Sequence, residues 1–170
     1  MHINTGTNSL KKFIENYDKQ IMFTKIVPQN PVIVLLDNDK EAESVVHCLK
    51  SKFNKLNLNY DRNKNFIYSV VENLFVVLLP KNHEGKGKQD LIIEDFFEKS
   101  VLDIKLGGKT FSSDNGRGFD SQKHYSKQVL AEKVIRPQQD IINFSRFTDI
   151  LNTLMETIEQ YKPVTESHKN

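Results

Sequence analysis

The sequence predicts an α/β layered domain: a partly parallel sheet with flanking helices and a β-hairpin. Three observations carry that expectation. Val32-Ile33-Val34-Leu35-Leu36 is an unbroken aliphatic run that stops abruptly at Asp37-Asn38-Asp39. Residues 40–53 follow with Ala42, Val45, Val46, Leu49 and Phe53 on one helical face, so strand, acidic turn and helix make the first half of a βαβ unit. Residues 66–71 and 74–79 are β-rich runs separated only by Glu72-Asn73, the spacing of a hairpin with Asn73 in its turn.

In order along the chain, residues 1–8 read as a frayed lead-in. Leu10, Phe13, Ile14, Tyr17 and Ile21 recur at helical spacing, which predicts an amphipathic helix over 9–20 capped by Asn8 or Ser9. Pro28 and Pro31 break any helix and bound a loop. The run 32–36 does not alternate, so both its faces are expected to be buried, as in a central parallel strand. Residues 54–65 and 80–89 are polar, Lys-bearing loops. Asp90 is expected to cap a helix over 91–99 whose apolar set is Ile92, Ile93, Phe96 and Phe97. Residues 112–122 read as a polar loop. A helix over 125–135 should stop at Arg136-Pro137, because a residue before proline disfavours the helical conformation. Phe147, Ile150, Leu151, Leu154, Met155 and Ile158 mark the clearest helix, closing near Tyr161 ahead of Pro163. The expected organisation is a lead-in over 1–8, one domain over 9–162 and a tail over 163–170.

The 170 residues suffice for one domain and are tight for two. Hydrophobic residues make up 38% and charged residues 27%, which excludes a disordered or collagen-like chain. The apolar runs 31–36 and 74–80 are far too short to cross a bilayer, so no membrane partner is expected. The polar opening over 1–9 shows no charged-then-apolar signal pattern. A single cysteine, Cys48, excludes a disulfide framework and a cysteine-based zinc site. These features fit a cytoplasmic protein in a reducing compartment. A formal net charge of +2 is too small to indicate nucleic-acid binding by itself.

The sharpest chemical feature is Leu36-Asp37-Asn38-Asp39. Carboxylates two residues apart on an extended backbone point to the same side, and a buried strand ending in two acids is costly unless a cation or hydrogen bonds neutralise them. Mg2+ suits the pattern, since it takes one or two carboxylates and keeps several waters. The plainer alternative is that Asp37 or Asp39 caps the following helix. Glu94 sits among Ile92, Ile93, Phe96 and Phe97; alone it reads as a first-turn acid, and beside the aspartates it would complete a metal site. Lys127 and Lys133 lie on the expected helix 125–135, where a lysine either faces solvent or neutralises charge at a phosphate. His47 and Cys48 read as packing or surface residues. Ser113-Asp114-Asn115-Gly116 reads as a turn. Gly107-Gly108-Lys109-Thr110 lacks the earlier glycine of a phosphate-binding P-loop. Lys50, Lys52, Lys55, Arg62 and Lys64 form one basic stretch, and Lys81, Lys86 and Lys88 a second; either could follow a phosphate backbone, although a solvated surface is the commoner explanation.

The segment from Asn30-Pro31 through Asp37-Asn38-Asp39 resembles the Asp-x-Asp strand of a Toprim domain, the fold shared by topoisomerases, primases and overcoming-lysogenisation-defect nucleases. More specifically, it resembles the Toprim region fused behind some retron reverse transcriptases. The likeness continues through Asn73-Leu74-Phe75-Val76-Val77, Ile93-Glu94-Asp95-Phe96-Phe97, Gly108-Lys109-Thr110-Phe111, His124-Tyr125-Ser126-Lys127 and Lys133-Val134-Ile135-Arg136-Pro137. It covers about residues 5–160 in order, more than a single motif could.

The resemblance implies a Toprim-like layered sheet in which Asp37 and Asp39 bind a divalent metal, Mg2+ or Mn2+. Glu94 resembles the later acid of the nuclease branch, as a further ligand or the residue that positions a water. Lys127 or Lys133 resembles that branch's lysine. The implied function is a metal-dependent nuclease module acting on DNA or RNA, the effector part of a retron antiphage protein, with a reverse transcriptase domain and its RNA–DNA product as partners. One departure stands out. The family's first glutamate lies on a strand well before the Asp-x-Asp strand, whereas here Glu15 sits on the expected first helix. The chain is therefore read as the C-terminal part of a larger protein or as a remnant without that glutamate. Two alternatives stay open: an incomplete Toprim-like module that binds nucleic acid or a partner protein, and a receiver-like signalling domain.

Overall fold

A strand with no polar residue needs cover on both faces and both edges, and one strand of this chain has it. In the computed structural model, which describes residues 7–26, 28–52, 67–71, 73–81, 90–114, 116 and 118–163, Leu74–Leu78 (β3) is buried at all five positions. It lies between Val32–Leu36 (β1), to which it is parallel, and Ile67–Val71 (β2), to which it is antiparallel. The expected parallel strand and hairpin are both present. The central place is not taken by 32–36, as expected, but by β3. The sequence shows two unbroken apolar runs, and both satisfy the rule for a buried strand; β1 is the edge of the described sheet, with only Val34 and Leu36 fully buried.

The described chain is mixed α/β and divides into two compact units, Met1–Ile92 with Asp149–Asn170, and Ile93–Thr148. In the first unit, Thr7–Thr24 (α1) and Lys40–Lys52 (α2) cover one face of the sheet. Ile14, Ala42, Val45 and Leu49 meet Val34, Leu36, Leu74, Val76 and Leu78, with Leu10, Phe13 and Tyr17 packed alongside. Helix α1 starts at Thr7, ahead of the expected cap at Asn8 or Ser9, and runs past Gln20. Polar clasps hold α1 to α2. Lys11 Nζ donates to Ser44 Oγ at 2.9 Å, and the Lys52 ammonium donates to Glu15. The Lys52 bond holds the Glu15 carboxyl below its ordinary range, and Glu15 in turn raises the Lys52 ammonium. Asn73 is buried in the hairpin turn, where its Oδ1 accepts from Tyr17 Oη at 2.9 Å and its amide donates to the Asn30 carbonyl. Phe75, on the other face of β3, meets the ring of Tyr161 edge-on at 6.3 Å. Ile14 is fully buried at the centre of this packing, so Ile14→Ala should cost about 3 kcal/mol, read as a lower urea midpoint with an unchanged slope.

The expected closing helix is Thr148–Gln160 (labelled α5 after the elements of the second unit), but its buried side is Ile150, Thr153 and Thr157. Both threonines bury their hydroxyls by donating back to carbonyls four residues earlier, Asp149 O at 2.8 Å and Thr153 O at 2.7 Å. Leu151, Met155 and Ile158 are exposed.

The second unit is built from short pieces. Ile93–Phe96 is a 3-10 turn, and Lys99–Leu102 (α3) follows it. The continuous helix expected over 91–99 does not form. Leu91 spends both backbone groups on a bridge to Asn38, so the helix cannot begin there. Gly107 and Gly108 have φ of +56° and +81°, the left-handed conformation of a tight turn closed by reciprocal bonds between Leu106 and Lys109. Thr110–Phe111 (β4) pairs in parallel with His124–Tyr125 (β5). Lys127–Val129 (α4) widens into a π-helical stretch over Leu130–Ile135 and then tightens into a 3-10 turn over Arg136–Gln138. The helical path thus continues beyond the expected stop at Arg136-Pro137, because Pro137 falls in the first turn of the 3-10 segment, where its missing N–H is not needed. Phe97, Val101, Tyr125, Leu130 and Val134 form this unit's core, with Phe111 and Phe147 packed against it. The expected loop over 54–65, and residues 82–89 of the expected loop over 80–89, lie outside the described residues. No helix among the described residues is long and apolar enough to cross a membrane.

Candidate functional site

Strand β1 delivers its acids at the carboxyl end of the sheet, where ligands of open α/β folds bind. Val34, Leu36 and Asn38 share one phase of the strand and all three are buried, Asn38 completely. The Asn38 backbone exchanges hydrogen bonds with Leu91, N–H to O at 2.8 Å and 3.0 Å. Its side-chain amide donates to the Leu79 carbonyl at 3.1 Å, one residue past β3. Asn38 therefore ties three chain segments together. Asp37 and Asp39 flank it and are each half-buried.

Asp39 caps α2: its Oδ1 accepts from the Ala42 N–H at 2.9 Å, and its carbonyl accepts from Glu43 N at 3.2 Å. The capping role weighed for these acids thus holds for Asp39. One capping bond engages one of the two carboxylate oxygens. Among the described residues, no three His, Cys, Asp or Glu side chains group so as to hold a metal ion. A pair of carboxylates fits Mg2+ or Mn2+ with a largely water-filled coordination sphere, and does not fit a cation held mainly by protein ligands.

The second unit holds Glu94, Lys127 and Lys133. Glu94 lies in the 3-10 turn Ile93–Phe96, and its side chain is 9% exposed. The Lys127 ammonium meets its Oε2 at 2.9 Å, and the lysine side chain is 29% exposed. Lys127 is the first residue of α4, whose start is set by Ser126: its Oγ accepts from Val129 N at 3.5 Å. The structure thus brings Glu94 and Lys127 together, while Lys133 is exposed in the π-helical stretch. In this unit Asp114 Oδ1 accepts from Gly116 N at 2.7 Å; Asn115, within the expected turn over 113–116, lies outside the described residues. Thr110 Oγ1 and His124 Nδ1 lie 3.0 Å apart across the β4–β5 pair. His47 is exposed, 3.7 Å from Glu43 one helical turn away.

Sequence reasoning passed over Asn38. The signal was present in the strand's period of two, since extending Val34 and Leu36 by two residues lands on Asn38. It also treated Glu94 and Lys127 as separate candidates, and nothing in their spacing joins them. No protein-family model matches the chain, and no solved structure matches it.

Proposed function

We propose that this chain is a Toprim-like, Mg2+-dependent phosphodiesterase module acting on nucleic acid, the effector part of a retron antiphage protein that also carries a reverse transcriptase. The observation that carries this reading is the strand end built around Asn38. Asn38 is fully buried, its side-chain amide bonded to the Leu79 carbonyl and its backbone to that of Leu91, and it anchors the two flanking carboxylates beside the sheet's carboxyl edge. Strand residues on either side of an inward-facing one face the other way, so the acids are placed on the opposite side of the strand end from the Asn38 side chain.

Asp37 and Asp39 hold the cation in this reading. When bound, Mg2+ supplies Lewis acidity and lowers the pKa of a coordinated water. Asp39 does two jobs, since its capped oxygen stabilises α2 and orients the carboxylate. Within the second unit, the Lys127 ammonium paired with Glu94 is the group suited to neutralise charge on a phosphate, a stabilisation worth most where the cation is held in place beforehand. Lys133 adds a second cation on the same helical path.

The direct test is calorimetric titration of Mg2+ and Mn2+ into the metal-free chain. Saturable binding by the wild type, weakened by Asp37→Asn, is expected. A flat titration favours the incomplete module that binds nucleic acid or a partner protein, a reading to which the capping bond of Asp39 lends support.

A further inference from the structure

We propose that Glu94 is a positioning residue: its buried carboxylate holds the Lys127 ammonium where that ammonium meets a phosphate group, and Glu94 does not itself ligate a metal. The inference rests on the phosphodiesterase reading and reassigns one role within it.

Glu94 lies two residues before Phe96, which is fully buried and packs its ring 5.7 Å from that of Phe147. A carboxylate in such surroundings is costly unless it is paired. The Lys127 ammonium pairs with Oε2, an oxygen with essentially no solvent contact. The two residues are far apart in sequence, so this is not the one-turn pairing common on helix surfaces. Both partners also sit on fixed supports. Ahead of Lys127, Tyr125 is buried and donates its hydroxyl to the Ile104 carbonyl, and Ser126 sets the first turn of α4. Behind Glu94, the Phe97 carbonyl accepts from Arg146 Nη1 at 3.4 Å. A long, flexible lysine is thereby ion-paired to a buried carboxylate while part of its side chain still reaches solvent. The entropy of ordering it is spent in folding and not on meeting an anion.

The same geometry argues against Glu94 as a ligand. The solvent-inaccessible oxygen, Oε2, is the one already facing an ammonium. A divalent ion on it would put two cations on one buried carboxylate, and like charges that close repel strongly.

The test follows the Lys127 side-chain ammonium by 15N-resolved NMR in the full chain, titrated with a short single-stranded oligonucleotide in the absence of metal. The wild-type Lys127 signal should shift saturably. Glu94→Gln should need about tenfold more oligonucleotide or beyond for half-saturation, with Mg2+ affinity kept within about twofold. Should Glu94→Gln not fold, Glu94→Asp keeps the charge but draws the carboxylate back, and it carries the same readouts. Loss of Mg2+ affinity in either variant makes Glu94 a ligand and overturns the proposal. Oligonucleotide affinity at the wild-type level makes the pair merely structural and overturns it as well, as does a wild-type Lys127 signal that never moves. If the wild type binds no Mg2+ while the Lys127 shift and its Glu94 dependence persist, the metal reading fails and the positioning role stands.

Discussion

If the proposed function holds, the Asp37→Asn, Asp39→Asn double variant should lose Mg2+-dependent cleavage of nucleic acid by about 10³-fold or more and keep its fold. Both halves of this result follow from what the two acids touch. Asparagine has nearly the shape of aspartate and ranks with it as a helix cap, so the Ala42 N–H retains an acceptor and α2 keeps its start. The negative charge that would hold the cation is removed at both positions. Asp39→Ala separates the two jobs from the other side: it loses the cap, at about 1 kcal/mol of stability, together with any ligand role. The measurement is cleavage of end-labelled single-stranded DNA and RNA by the full-length protein with Mg2+ and with chelator, alongside thermal unfolding of each variant. Undiminished cleavage by a folded double variant would remove the strand-end acids from the mechanism.

Much of the first unit was legible because its signals are local. Helix α2 announces itself through Ala42, Val45, Val46 and Leu49, and all four are buried. The hairpin follows from two β-rich runs with a two-residue gap, and Asn73 sits in its turn. Which apolar run lies at the centre is a different kind of question. It depends on partners elsewhere in the chain, and 32–36 and 74–78 look alike to any local rule. The second unit was less legible for a related reason. Ile92, Ile93, Phe96 and Phe97 show a helical spacing, but Leu91 had already committed its backbone to Asn38, and only a long-range contact carries that information. The π-helical stretch over Leu130–Ile135 keeps Leu130 and Val134 buried, as an ordinary helix would, so periodicity does not distinguish the two. For the candidate site, the acids themselves were visible, while their support by Asn38 and the pairing of Glu94 with Lys127 were not.

Asn38→Asp, a change of one amide to one carboxylate, should cost about 4 kcal/mol or more at neutral pH, against a total stability of about 5–15 kcal/mol for a domain of ordinary size. Asn38 is fully buried, and its amide N–H is the donor to the Leu79 carbonyl. An ionised carboxylate at that place has no proton to give and sets oxygen against oxygen. It also adds a third negative charge directly between Asp37 and Asp39. Burial and those neighbours both raise the folded-state pKa of the new acid above the unfolded value of about 3.9. The neutral acid can still donate to Leu79, so the penalty is smallest below pH of about 4. It grows as pH rises, because the unfolded chain gives up its proton while the folded chain resists, and it levels off only above the raised folded-state pKa. Asn38→Ala provides the control. It loses the hydrogen bond and some packing, at about 1–3 kcal/mol, with no pH dependence of its own. Urea unfolding of the wild type and both variants from pH 4 to pH 8 should therefore show one gap that widens with pH and one that stays constant. Equal midpoints for Asn38→Asp and the wild type at pH 8 would mean that this residue does not tie the strand end to Leu79, and the two acids beside it would lose the rigid placement on which their chemistry depends.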